Sequence, residues 1–183
     1  MRTFRPPPTR RPERTVGNAG PRRILGIDPG SRRTGFGVLE LHGGQSRYVA
    51  SGVIQAGDGA FPGRLRTIFE GLGALIAEHG TGEAAIEQVF VNRNADSALK
   101  LGQARGAAIC ACASHGLPVS EYGPRAVKQA LVGGGAADKR QVAYMVRMIL
   151  GLEGRLQEDA ADALAIALCH AQHDRMAARL AAR

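Results

Sequence analysis

Three short apolar runs open the patterned part of the chain, each closed by turn residues. Residues 23–28 read RILGID and stop at Pro29-Gly30, and runs at 34–41 and 48–56 follow across Gly-rich turns. Together they predict a β-meander of three strands. From 61 to 79 the period lengthens to that of a helix. Leu65, Ile68, Phe69, Leu72, Leu75 and Ile76 fall on one face, and Gly80 is placed to cap the C-terminus. A fourth strand is predicted at 83–89, an alanine-rich helix at about 95–115 and a fifth strand at 117–122. A short helix at 124–132 opens with Pro124 near its first position. After Gly133-Gly134-Gly135, Asp138 and Gln141 have the spacing of a capping box for a helix that ends near Leu150. The last helix starts near Glu158 and runs past His170. The order βββαβαβα followed by helices predicts an α/β fold, a mixed sheet covered by helices, in one domain spanning 22–175.

Composition narrows the picture. The 183 residues are 44% hydrophobic, with no Trp and only 4% aromatic residues, so the core must be built from Ala, Leu, Ile and Val. Residues 1–21 are rich in Pro and Arg, cannot bury a core and are predicted to be a disordered arm. Residues 176–183 read as a basic tail. The start lacks the apolar segment of a secretory signal, and the longest apolar run, 163–169, is too short to span a bilayer. The expectation is a soluble, cytoplasmic protein.

The formal charge of +8 invites a nucleic-acid partner, but its distribution weakens that inference. Residues 1–23 hold seven arginines and one glutamate, a net of +6, which leaves only +2 for residues 24–183. Three cysteines, Cys110, Cys112 and Cys169, form no disulfide framework. With His115 they could be imagined as a zinc site, but positions two apart on a helix point about 200° apart. Small core residues are the better reading.

Four carboxylates occupy poor places for a charge. Asp28 ends the first strand, Glu87 lies inside the apolar run AAIEQV, and Asp159 and Asp162 precede the apolar stretch 163–168. Burying an unpaired carboxylate is expensive, so such residues have partners. A divalent cation is one such partner, and Mg²⁺ prefers oxygen ligands. Two ions roughly 3.5–4 Å apart can clamp a phosphodiester, one activating water and one stabilising the leaving oxygen. Asp159 and Asp162 are three apart and share a helix face. Each residue also has an ordinary reading: Asp28 as a turn residue in Asp-Pro-Gly-Ser, Glu87 in a salt bridge with an arginine, and one of Asp159 and Asp162 as an N-cap.

The segments ILGIDPGSRRTGFGVLE (24–40), AIEQVFVNRNADSALKLGQARGA (85–107), VKQALVGGGAADKRQVAYMV (127–146) and EDAADALAIALCHA (158–171) resemble the RuvC family of crossover junction endodeoxyribonucleases. The resemblance implies a ribonuclease H-like fold with a mixed five-stranded sheet. It implies a homodimer that nicks a four-way (Holliday) junction on symmetrically related strands, leaving 5′-phosphate and 3′-hydroxyl ends. It also implies the RuvA-RuvB branch-migration complex as a partner. The family's acidic positions match Asp28, Glu87, Asp159 and Asp162, which would be catalytic and hold two Mg²⁺ ions, with Mn²⁺ able to replace them. Phe90 is placed to stack on an unpaired base, or else is a core residue. Lys128 and Lys139 match phosphate-contacting positions, with a solvated surface charge as the ordinary reading. Lys139 follows the glycine break, which would let it be presented flexibly.

Three other classes compete. The segment 26–37 also resembles the phosphate loop of actin-like and sugar-kinase ATPases, which need a second such domain for which 183 residues leave no room. A YqgF-type nuclease shares the early Asp but not the match after Glu87. A non-catalytic junction scaffold would not need all four carboxylates.

Overall fold

The computed structural model describes residues 22–89, 95–135 and 137–181. The predicted arm at 1–21 and Phe90 lie outside the described residues. Among the described residues, five strands and five helices follow in the predicted order: β1 (Arg22–Asp28), β2 (Arg33–His42), β3 (Gln45–Gln55), α1 (Phe61–His79), β4 (Glu83–Glu87), α2 (Ala95–Ser114), β5 (Val119–Tyr122), α3 (Pro124–Val132), α4 (Lys139–Leu150) and α5 (Glu158–Ala181). The sheet order is β3-β2-β1-β4-β5. The meander is antiparallel, while β4 and β5 run parallel to β1. This mixed sheet flanked by helices is the ribonuclease H-like arrangement.

β1 lies at the centre and is covered on both faces, which is why it reads as a continuous apolar run rather than an alternation. Ile24 joins Leu39 and Ala85 under α3, α4 and α5. Leu25 and Ile27 join Val38, Ala84 and Ile86 under α1 and α2. α5 lies very close to the sheet because the strands beneath it lack side chains where it crosses. A Cβ on Gly26 would come within 2.1 Å of the Ala163 carbonyl oxygen, and one on Gly35 within 2.1 Å of that of Asp159. Those two glycines set the depth at which the first turns of α5 sit against the end of β1.

Several expectations need adjusting. Phe69, placed on the buried face of α1, is 38% exposed. It is one residue, or about 100°, past Ile68; the core buries Ile68, Leu72 and Ile76 fully and takes Leu65 and Leu75 at its margin. β4 ends at Glu87 rather than at 89, and β5 begins at Val119. Residues 176–181, read as tail, continue α5. The cysteines cannot share a metal: Cys112 and Cys169 lie in the cores on opposite faces of the sheet, and Cys110, expected in the core, is exposed. Among the described residues no helix is long and apolar enough to cross a membrane.

Candidate nuclease site

β1 and β4 are parallel neighbours, with Ile27 opposite Ile86, so the next residues, Asp28 and Glu87, end their strands side by side. α5 crosses this end of the sheet and brings Asp162, one helical turn in from Asp159. Asp28, Glu87 and Asp162 line one cleft of about 310 Å³ together with Lys128 of α3 and Lys139 of α4. Val127, Val142, Ala165 and Ile166 make its apolar wall. Asp159 stands on the β2 side, where its Oδ2 is 2.8 Å from Arg33 Nε.

The ordinary readings can now be compared with the geometry. Glu87 makes no ion pair among the described residues; an arginine does approach it, but Arg105 Nε donates to its backbone carbonyl at 3.0 Å. Asp28 likewise has no cation within ion-pair distance among the described residues. Its carboxyl is pushed up to about 7, first by burial and then by repulsion from Asp162, Glu87 and Asp159. Burial and Asp162 raise Glu87 as well. Asp162 is raised too, although Lys139 Nζ donates to its Oδ2 at 3.2 Å, because burial outweighs that single exposed cation. These carboxylates are thus held close together with more negative charge than the protein itself satisfies.

Lys139 is the first residue of α4. The capping box predicted at Asp138 and Gln141 is present in both halves, with bonds of 2.8 and 3.0 Å. The backbone of Lys139 is therefore fixed, and its freedom lies in the side chain. Its ammonium bridges Glu158 Oε1 at 3.0 Å and Asp162. The hydrogen bond to Glu158 is the main reason its proton is held more tightly than usual. Glu158, Arg33 and Arg105 were missed in the sequence. Only Glu158 had a usable signal, since it directly precedes Asp159.

A second charged cluster lies toward the other ends of β1 and β4. Ligand atoms of Glu83, His170 and Asp174 lie within 4.8 Å of one another, a candidate metal-binding group. Arg22 donates to Glu83 Oε1 and, at 2.6 Å, to Asp174 Oδ2. His170 Nδ1 shares a 2.7 Å hydrogen bond with the Tyr122 hydroxyl, and its Nε2 is 3.3 Å from Glu83 Oε2.

Comparison with known proteins agrees with this geometry. Residues 24–170 match the family described as crossover junction endodeoxyribonuclease RuvC. The chain is 61% identical over 158 residues to the protein of that name from Alkalilimnicola ehrlichii, covering 86% of this chain and 96% of the relative. It is 56% identical over 158 residues to that of Methylococcus capsulatus, covering 86% and 95%. Among solved structures it is similar to Thermus thermophilus RuvC in complex with Holliday junction substrate, with a TM-score of 0.80, 37% identity and coverage of 85% and 96%. It shares the fold of the yeast mitochondrial Holliday junction resolvase Ydc2, with a TM-score of 0.65, 10% identity and coverage of 86% and 82%.

Proposed function

Since the chain belongs to the RuvC family of crossover junction endodeoxyribonucleases and is a metal-dependent endodeoxyribonuclease, we propose that it resolves four-way DNA junctions by paired symmetrical nicks. In this reading Asp28, Glu87, Asp159 and Asp162 are the catalytic metal ligands. The observation that carries it is the crowding of carboxylates from β1, β4 and α5 at one end of the sheet, with Asp28 and Glu87 unpaired by any cation among the described residues. An all-oxygen donor set of that charge fits Mg²⁺, with Mn²⁺ as a substitute. Two bound ions would supply Lewis-acid activation of the attacking water and stabilisation of the leaving 3′ oxygen.

The chain's own side chains do the positioning. Lys128 and Lys139 face the same cleft and offer ammonium groups to the phosphates beside the scissile one. Lys139 is held over the cleft by Glu158 and Asp162 and exchanges those contacts for DNA. The 3′ oxygen–phosphorus bond breaks as the water oxygen bonds to phosphorus, leaving the 5′-phosphate and 3′-hydroxyl ends that a ligase accepts. Phe90, three residues after Glu87, serves as an aromatic wedge at the junction centre.

One chain carries one carboxylate set, so paired nicks require two chains, and the working form is a homodimer with two-fold symmetry. Its further partner is the RuvA-RuvB branch-migration complex, and its compartment is the cytoplasm. The deciding experiment offers the protein a synthetic mobile four-way junction beside linear duplex of the same sequence, with Mg²⁺ or with EDTA. The expected result is paired nicks in the junction alone and only with metal. Binding without cutting in Mg²⁺ would identify a scaffold, and equal cutting of duplex would remove junction selectivity. A monomer by light scattering that retains full resolution activity would sink the dimer.

A further inference from the structure

β4 is short, and its pairing with β1 ends at Ile86, one residue before Glu87. On its other side Glu87 pairs with Tyr122 of β5, and the Gln88 N–H donates to the Tyr122 carbonyl at 2.9 Å. The carboxylate at the end of β4 therefore stands on a strand terminus that the sheet holds from one side. α2 supplies another hold from outside the sheet. Arg105 Nε donates to the Glu87 carbonyl at 3.0 Å, while Nη2 forms an ion pair with Glu121 Oε2 of β5 at 2.5 Å.

The placement of Arg105 is specific. It follows the buried Ala104 at the margin of the packed face of α2, and its side chain is only 20% exposed. A guanidinium is planar and rigid, so the hydrogen bond from Nε and the charge contact at Nη2 together restrain the whole group. The charged groups that act on the Glu87 carboxyl are Asp162, Lys139 and Lys128, and Arg105 is not among them. The fork addresses the backbone of the strand end and the neighbouring strand rather than the carboxylate.

We propose that Arg105, with Glu121 as its anchor, is a positioning residue for the nuclease site: it pins the end of β4 so that Glu87 is presented at a fixed place. This rests on the reading of Glu87 as a metal ligand. Groups that orient a metal ligand, when removed, cost about 10–100-fold in metal affinity or activity.

The test uses Arg105→Lys, Arg105→Gln and Glu121→Gln beside Glu87→Gln and the parent protein. Single-turnover cutting of a synthetic mobile four-way junction is measured across a Mg²⁺ titration, with junction affinity in EDTA and thermal midpoints alongside. Both Arg105 variants are expected to cut about 10–100-fold more slowly and to need more Mg²⁺ for half-maximal rate. Their junction affinity and the pH profile of cutting should be unchanged. Glu121→Gln should lose less, because it retains the bond to the Glu87 carbonyl. Parental rates and Mg²⁺ requirement in both Arg105 variants would overturn the proposal. So would a parallel loss of cutting, affinity and thermal midpoint, which marks general packing. If Glu87→Gln is dead while both Arg105 variants are fully active, this inference alone fails. If Glu87→Gln cuts at the parental rate, the ligand reading fails and takes this inference with it.

Discussion

The same three elements, β1, β4 and α5, carry a charged cluster toward each end of the sheet, and the two clusters behave in opposite ways. Toward one end Asp28, Glu87 and Asp162 meet, and all three carboxyls are raised. Toward the other, Glu83 is lowered although it too is partly desolvated, because His170 and Arg22 lie against it. The difference is the source of the neutralising charge. Arg22 enters the Glu83 cluster directly and bridges it to Asp174, and Tyr122 fixes the far side of the His170 ring. That network is complete within the chain. In the cleft, among the described residues, Lys139 forms ion pairs with Asp162 and Glu158 and Arg33 with Asp159, while Asp28 and Glu87 feel the lysines only from beyond ion-pair distance. Proximity of ligand atoms alone would nominate the Glu83 group for a metal. The balance of charge nominates the cleft, where repulsion remains for an external cation to relieve.

The largest expected effect is on cutting. Asp28→Asn, Glu87→Gln, Asp159→Asn and Asp162→Asn should each lower the rate by roughly three orders of magnitude or more, the loss of several kcal/mol of transition-state stabilisation. Junction affinity in EDTA should stay near parental. Glu83→Gln and Asp174→Asn should cut like the parent. A Glu83→Gln protein that folds, binds the junction and cannot cut would erase the distinction between the two clusters.

Metal binding should separate them next. A ligand at one hundred times its Kd stabilises the folded state by about 2.7 kcal/mol. Adding Mg²⁺ to the DNA-free protein should therefore raise the thermal midpoint. The rise should vanish in Asp28→Asn and persist in Glu83→Gln. The reverse pattern would move the metal to the Glu83 cluster.

How far this contrast was legible in the sequence follows from what each cluster is made of. Asp28 and Glu87 stood out because each interrupts or ends a run of buried apolar residues, and Asp159 and Asp162 because their spacing repeats a helical turn. Local signals also placed α1 and its left-handed cap Gly80, and the capping box at Asp138. The Glu83 cluster had no such signal. Arg22 and Asp174 are 152 residues apart, and nothing near either one announces the other. Arg105 was hidden for a different reason: within an alanine-rich helix an arginine reads as a solvated charge, and only the tertiary packing shows its fork turned to the sheet. Phe69 shows the limit of periodicity, since apolar neighbours at helical spacing do not reveal how wide a stripe the core will cover.

Substitution in the metal-free protein should act with opposite signs at the two ends. Asp28→Asn keeps the shape and removes a buried charge held among like charges, so its thermal midpoint in EDTA above neutral pH should rise. Glu83→Gln removes the charge from hydrogen bonds to Arg22 and His170 and should lose about 1–3 kcal/mol. Thermal melts in EDTA decide this, and two midpoints displaced in the same direction would contradict the assignment of one end as satisfied and the other as strained.

The contrast also carries a pH dependence of that stability, and its sign follows from linkage. Asp28 has a folded-state value of about 7 against 3.8 for an unperturbed aspartate, so between these the folded protein binds more protons than the unfolded chain. Stability must therefore fall as pH rises through this window and level off above about 7. Glu83 is shifted the other way. Its contribution is fully present above its ordinary value of 4.5 and is lost only as pH falls through its lower folded value. In EDTA the thermal midpoint should thus decline from mildly acidic to neutral pH, a slope to which the raised cleft carboxyls contribute, and turn down again in stronger acid where the Glu83 cluster comes apart. Asp28→Asn should remove the part of the decline nearest neutrality and leave the acid limb unchanged. Glu83→Gln should weaken the acid limb. Saturating Mg²⁺ should reverse the neutral slope in the parent, because the ions need the carboxylates ionised and metal binding then draws protons off the folded state. A parental curve that is flat from pH 5 to 8 in EDTA, or that rises, would mean the carboxylates of the cleft are already neutralised from within, as those around Glu83 are.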